Sequence, residues 1–147
     1  MDWFSKPNLP MKEAHFLKSF QDYTARLEEH LLFALTSAAF YISLSHSTGK
    51  QHSGIFIHFA RTLESHAQKI SRMLSESKSP HLNPALFRMP SGNLHDDLNC
   101  ALSGTLRAHT RLLLLAAYAP KASWRRNLIG MIRETRTIID FLTSIIQ

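Results

Sequence analysis

Cysteine is almost absent from this chain. Cys100 is the only one, so no internal disulfide can staple the fold and no cysteine-based zinc site can form. The lone thiol reads as a small, half-buried hydrophobe. Long apolar runs are missing too. No stretch reaches the roughly 18–20 apolar residues that crossing a bilayer requires. The richest, from Leu31 to Leu44, is broken by Thr36, Ser37, Tyr41 and Ser43, so no membrane partner is expected. Met1 to Pro10 lack the basic start and apolar stretch of a signal peptide, which makes the cytoplasm the expected location. No segment alternates like a strand, and neither internal repeats nor low-complexity tracts are present. Acidic side chains are outnumbered, 11 against 17 Lys and Arg, for a net charge of +6. That excess permits contact with nucleic acid, phosphate or an acidic partner without demanding it. The cations are scattered, the densest group being Lys121, Arg125, Arg126, Arg133 and Arg136, and no base-stacking motif or zinc finger accompanies them. A solvated basic face is therefore favoured over a nucleic-acid surface.

What the chain does have is helical periodicity. Its 147 residues suffice for one domain with a real core. After an N-terminal extension over residues 1–10, four helices are expected. The first runs from about Met11 to Ser45, with Leu27, Leu31, Ala34, Ala38 and Tyr41 on one stripe, and ends at a turn through Gly49. The second runs from about Ser53, a candidate N-cap, to Ser77. Prolines 80, 84 and 90 then exclude a helix over residues 78–90, a connection longer than a turn needs and able to travel the length of a bundle. The third helix runs from about Asn93 to Tyr118, with Leu98, Leu102, Thr105, His109, Leu112 and Ala116 on one face. The fourth runs from about Trp124 to Ile146, capped by Ser123, with Leu128, Met131, Thr135, Ile138, Leu142 and Ile145 inward. Two helix pairs with short internal turns and one long link give an all-α fold, an antiparallel four-helix bundle with a crossover between helices 2 and 3.

The second helix holds the most informative segment. Phe59, Leu63, His66, Ile70 and Met73 follow one another at helical spacing on a single stripe. A histidine inside an apolar stripe must find a partner, bind a metal or stay neutral. The run from His58 to Ile70, with its Phe-rich start and its His66-Ala67-Gln68-Lys69-Ile70, resembles the second helix of ferritins. The stretch Leu31 to Leu44, through Tyr41-Ile42-Ser43, is similar to the ferritin segment that ends in Tyr-Leu-Ser. The likeness covers roughly Phe20 to Ile146 and is strongest from Tyr41 to Ile70.

The resemblance implies a ferritin-like bundle and points to its di-iron centre, where paired cations need surrounding carboxylates. By that alignment the family's glutamate on the first helix falls at Ala34 and the one three residues before the histidine at Leu63. Those on the third and fourth helices fall at Thr105 and Thr135. The histidine survives as His66. The expected reading is therefore a ferritin-like subunit without the usual ferroxidase centre, acting as a structural or binding component within an iron-storage assembly, with no oxidation chemistry of its own. No fifth helix follows the fourth, so the 24-subunit shell of cage ferritins is not expected.

Candidate metal ligands are His66, His109 and Glu64. His109 shares the inward stripe of the third helix, so a two-histidine zinc or copper site is conceivable, although it lacks charged ligands. Against it stands a neutral buried His66 hydrogen-bonded to Thr105, Thr135 or Tyr41, with Glu64 on the surface. No cofactor is required, and iron enters only through the resemblance. One alternative is a working iron-binding protein with displaced ligands drawn from Glu28, Glu29, His30, Glu64, His66 and Glu134. Another is a basic helical module for nucleic acid or protein, akin to the DNA-protecting miniferritins. His15, His46, His52, His58, His81 and His95 read as surface or loop residues. Asp96 and Asp97 read as favourable charge at a helix start, and Glu134 and Asp140 as partners for nearby arginines. The first helix is apolar around much of its circumference, through Leu32, Leu35, Ala39 and Ile42 as well, and is expected to bury a second face in a homodimer or larger assembly.

Overall fold

The computed structural model describes residues 20–47, 49–77 and 90–147. The beginning of the first expected helix, the long connection, and His15, Phe16 and His81 lie outside them. Among the described residues the chain is all helical. There are four helices and no strand: α1 Phe20–Ser47, α2 Lys50–Glu76, α3 Leu94–Ala117 and α4 Ala122–Ile146. None is long and apolar enough to cross a membrane.

Each helix turns its apolar stripe inward. In α1 that stripe contains Leu27, Leu31, Ala34, Ala38 and Tyr41, all buried. In α2 it holds Phe59, Leu63, Ile70 and Met73, and in α4 Leu128, Met131, Ile138 and Leu142. The helices pack as α1 on α2 and α3 on α4, with lighter contact of α1 on α3 and of α2 on α4. The side chains show which ends meet. Tyr23, near the start of α1, donates its hydroxyl to the Leu115 carbonyl near the end of α3 at 2.7 Å. At the end of α2, Glu76 accepts from the Trp124 indole at 2.8 Å and from Lys121 at 3.2 Å, where α4 begins. At the far end, Phe141 of α4 packs edge-on against Phe56 and Phe59 of α2, with Tyr41 of α1 beside them.

The core falls into two apolar clusters along the bundle. One joins Tyr23, Leu27, Ile70, Met73, Leu112, Leu115, Trp124, Leu128 and Met131. The other joins Tyr41, Leu44, Phe56, Phe59, Leu63, Leu98, Ile138 and Leu142. On three helices the boundary falls on a polar side chain: His66 between Leu63 and Ala67, Thr105 between Leu98 and Leu112, Thr135 between Met131 and Ile138.

The helix starts depart from expectation. Ser53 lies inside α2, which begins at Lys50 because the chain reverses at Gly49, whose φ of 70° suits a residue without a Cβ. Ser123 lies within the first turn of α4, since the extended Lys121 already makes the turn. Asn93 caps α3, its side chain accepting from the Asp96 amide at 3.1 Å. Asp96 and Asp97 both lie in the first turn of α3, as expected for charge at a helix start, and Asp97 is buried there as well. It accepts from the Ser91 amide at 2.9 and 3.1 Å and from the Ser91 hydroxyl at 2.8 Å, fixing the chain entering α3. His52 is half-buried rather than superficial, its ring 6.2 Å from Phe56 and 5.9 Å from Phe141. In α1, Leu35 turns against the core while Leu32 and Ile42 each remain 36% exposed.

Hydrogen bonds to a charged group contribute about 1.5–3 kcal/mol each, less whatever water restores. Asp97→Ala should therefore lower the unfolding free energy by about 2 kcal/mol in urea titrations. Asp96→Ala, at an exposed position, should change it by no more than about 0.5 kcal/mol.

Candidate functional site

The candidate site is the polar boundary between the two apolar clusters. His66 has no solvent-exposed side-chain surface, yet its Nε2 lies 3.2 Å from Glu134 Oε1, on a side chain that is 46% exposed. Glu134 precedes the inward-facing Thr135, so it stands on the flank of α4, and its length lets the carboxylate reach the imidazole while staying wet. The carboxylate accepts, which places the proton on Nε2. Nδ1 is then a bare lone pair, buried without a partner.

The expected partners of His66 do not take that role. Thr105 turns its hydroxyl onto the Ala101 carbonyl of its own helix at 2.6 Å, and the Thr135 hydroxyl is buried without a hydrogen bond. Glu134 is engaged by His66 rather than by the arginines around it. A second imidazole joins the site from α1. His30 is fully buried, neither ring nitrogen has a partner, and its ring tilts against Phe33 at 5.5 Å. It follows Leu27 by three residues and precedes Ala34 by four, a core spacing legible in the sequence.

The other candidates stand apart. Glu64 is exposed. His109 is half-buried, because the inward place next to Thr105 on α3 is filled by the fully buried Ala108; its Nε2 is buried without a partner. Glu28 is half-buried, and Glu29 faces outward to Arg26 and Arg111. Ala34, Leu63, Thr105 and Thr135, which the ferritin likeness sets at ligand positions, are all buried and uncharged. Among the described residues no three His, Cys, Asp or Glu side chains gather closely enough to hold a metal ion. A di-iron pair requires several anionic oxygens. Two neutral imidazoles, two hydroxyls and one half-wet carboxylate do not fit it.

Electrostatics keep both rings neutral. Burial holds the His30 pKa well below the ordinary 6.5, the charge of Arg111 adds to the effect, and a proton on His66 would oppose one on His30. For His66 burial also lowers the pKa; the hydrogen bond and charge of Glu134 pull the other way, and Lys69 pushes it down again. The arrangement can hold a neutral imidazole beside a carboxylate and can resist protonation.

In comparisons with known proteins, the chain matches no protein-family model and no curated sequence.

Both histidines take up protons more readily unfolded than folded. Stability is therefore level above about pH 6.5 and falls as the pH drops from there toward the folded values. His30 should contribute a slope approaching about 1.4 kcal/mol per pH unit in urea unfolding below about pH 6.5, and His66 a smaller one, because Glu134 opposes the effect of burial there. His30→Leu should remove its share. An unchanged slope in that variant would show that His30 is not titrating.

Proposed function

We propose that the protein is a ferritin-like four-helix-bundle subunit that has lost the di-iron oxidation centre and serves as a structural or binding component of a homo-oligomeric iron-storage assembly in the cytoplasm. The observation that carries the reading is the replacement of the four expected carboxylate positions by buried Ala34, Leu63, Thr105 and Thr135 around a surviving His66. The antiparallel arrangement with a crossover is supported by the meeting of ends. The last residues of α2 lie beside the first of α4, and residues 90–97 lie against Ser43, Leu44 and Ser47 at the end of α1. The end of α2 and the start of α3 therefore lie at opposite ends of the bundle, as a crossover between them requires.

Assembly through α1 is supported by Leu32 and Ile42, two large apolar side chains on one helix left 36% exposed. The reading predicts two results. Anaerobic loading with Fe(II) followed by oxygen should give no rapid oxidation phase; a burst of ferric product within seconds would sink the proposal. Sedimentation should find a dimer or larger particle, and Leu32→Glu with Ile42→Glu should reduce it to the monomer with the helical content retained.

A further inference from the structure

The seam where α1 crosses α3 does not close. α1 offers Phe33, Phe40 and Tyr41 there, while α3 answers with Ala101 and Gly104, so large rings face small side chains and leave a cavity of about 220 Å3 between them. A Cβ built on Gly104 would meet the Phe33 ring only at 3.9 Å, an ordinary contact, so the room is not filled by backbone. The cavity shares Phe33, Thr36, Gly104 and Arg107 with a wider trough of about 370 Å3 that runs on past Leu32 to Glu29 and Arg111. That volume lies at the lower end of the roughly 300–1,000 Å3 that small-molecule sites occupy.

The charge at the open end is unbalanced. The trough is lined by two guanidiniums and a single carboxylate, Glu29, and Arg26 already holds one oxygen of that carboxylate. Arg111 reaches the other only at 3.7 Å, keeps its Nε buried without a partner, and lies over the Phe33 ring at 5.9 Å. Arg107 has only the Ser103 hydroxyl, at 3.1 Å. A half-buried guanidinium with unused donors beside a second one is a receptor for a planar anion, which two parallel N–H bonds would satisfy.

We infer that the α1–α3 seam binds a medium-chain fatty carboxylate, with its alkyl chain between Phe33, Phe40 and Gly104 and its carboxylate on Arg107 and Arg111. The apolar cleft and the cationic mouth are continuous, which suits a ligand with one apolar end and one anionic end. This site adjoins the histidine level through Phe33, which packs on His30, and does not depend on the ferritin-like reading.

Isothermal titration of the full-length protein with decanoate tests the inference, with decanol and inorganic phosphate as the two control ligands. Decanoate should bind, and decanol and phosphate should each bind at least about tenfold more weakly, a difference of about 1.4 kcal/mol. Arg107→Gln and Arg111→Gln should each weaken decanoate by about tenfold. Gly104→Leu should fill the cleft and abolish binding with the helical circular dichroism unchanged. Should that variant fail to fold, Thr36→Leu at the lip, with a normal melting curve, provides the same reading. Three outcomes would overturn the inference: no binding of decanoate, equal affinity for decanoate and decanol, or full affinity in both arginine variants. Phosphate binding as tightly as decanoate would overturn it as well, since the apolar cleft would then contribute nothing.

Discussion

A buried imidazole in an apolar core costs several kcal/mol unless something compensates for its lost water. In this bundle the compensation for His66 comes from one carboxylate, reaching in from the solvent side of α4. The rest of the middle of the molecule is organised around that contact. The two apolar clusters stop on either side of it, and the positions facing it carry methyl groups and hydroxyls. The polar atoms at this level are poorly satisfied: His30, His66 and Thr135 all carry buried groups without partners. Native interiors seldom tolerate this many at one level without a reason.

The chemistry open to the site follows from the same contact. A carboxylate that stays 46% exposed keeps most of its hydration, so it can orient one imidazole but cannot neutralise a pair of hard cations in the interior. The arginines are distributed differently. Arg111 and Arg107 stand at the α1–α3 seam, and Arg125 donates to the Ala116 carbonyl at 3.2 Å, closing the turn between α3 and α4.

The helices were legible because their stripes recur at three and four residues, and that signal survives whatever the partner helix is. The level of the site was legible for the same reason, since His66, Thr105 and Thr135 all fall on inward stripes. The partner of His66 was not. Pairing residue 66 with residue 134 requires the register of α2 against α4, fixed by contacts such as Trp124 on Glu76 that no periodicity reports. Helix starts were missed where the backbone rather than a serine makes the turn, as at Gly49 and Lys121. Asp97 was placed at the start of its helix, but its partner was not legible, because Ser91 lies in the irregular stretch before α3. His109 was set inward by a stripe that holds at Leu98, Thr105, Leu112 and Ala116 but passes through Ala108 at that turn.

The division of the core has a consequence for how the molecule opens. Apolar clusters that meet only across a polar layer share few van der Waals contacts, so the cooperativity that welds a domain into one unit is weakest at that layer. All four helices pass through both halves, and either end of the bundle can fray to the histidine level while the other keeps its packing. Slowly exchanging amides would then sort into two sets along the bundle axis, cutting each helix in the middle instead of separating one hairpin from the other.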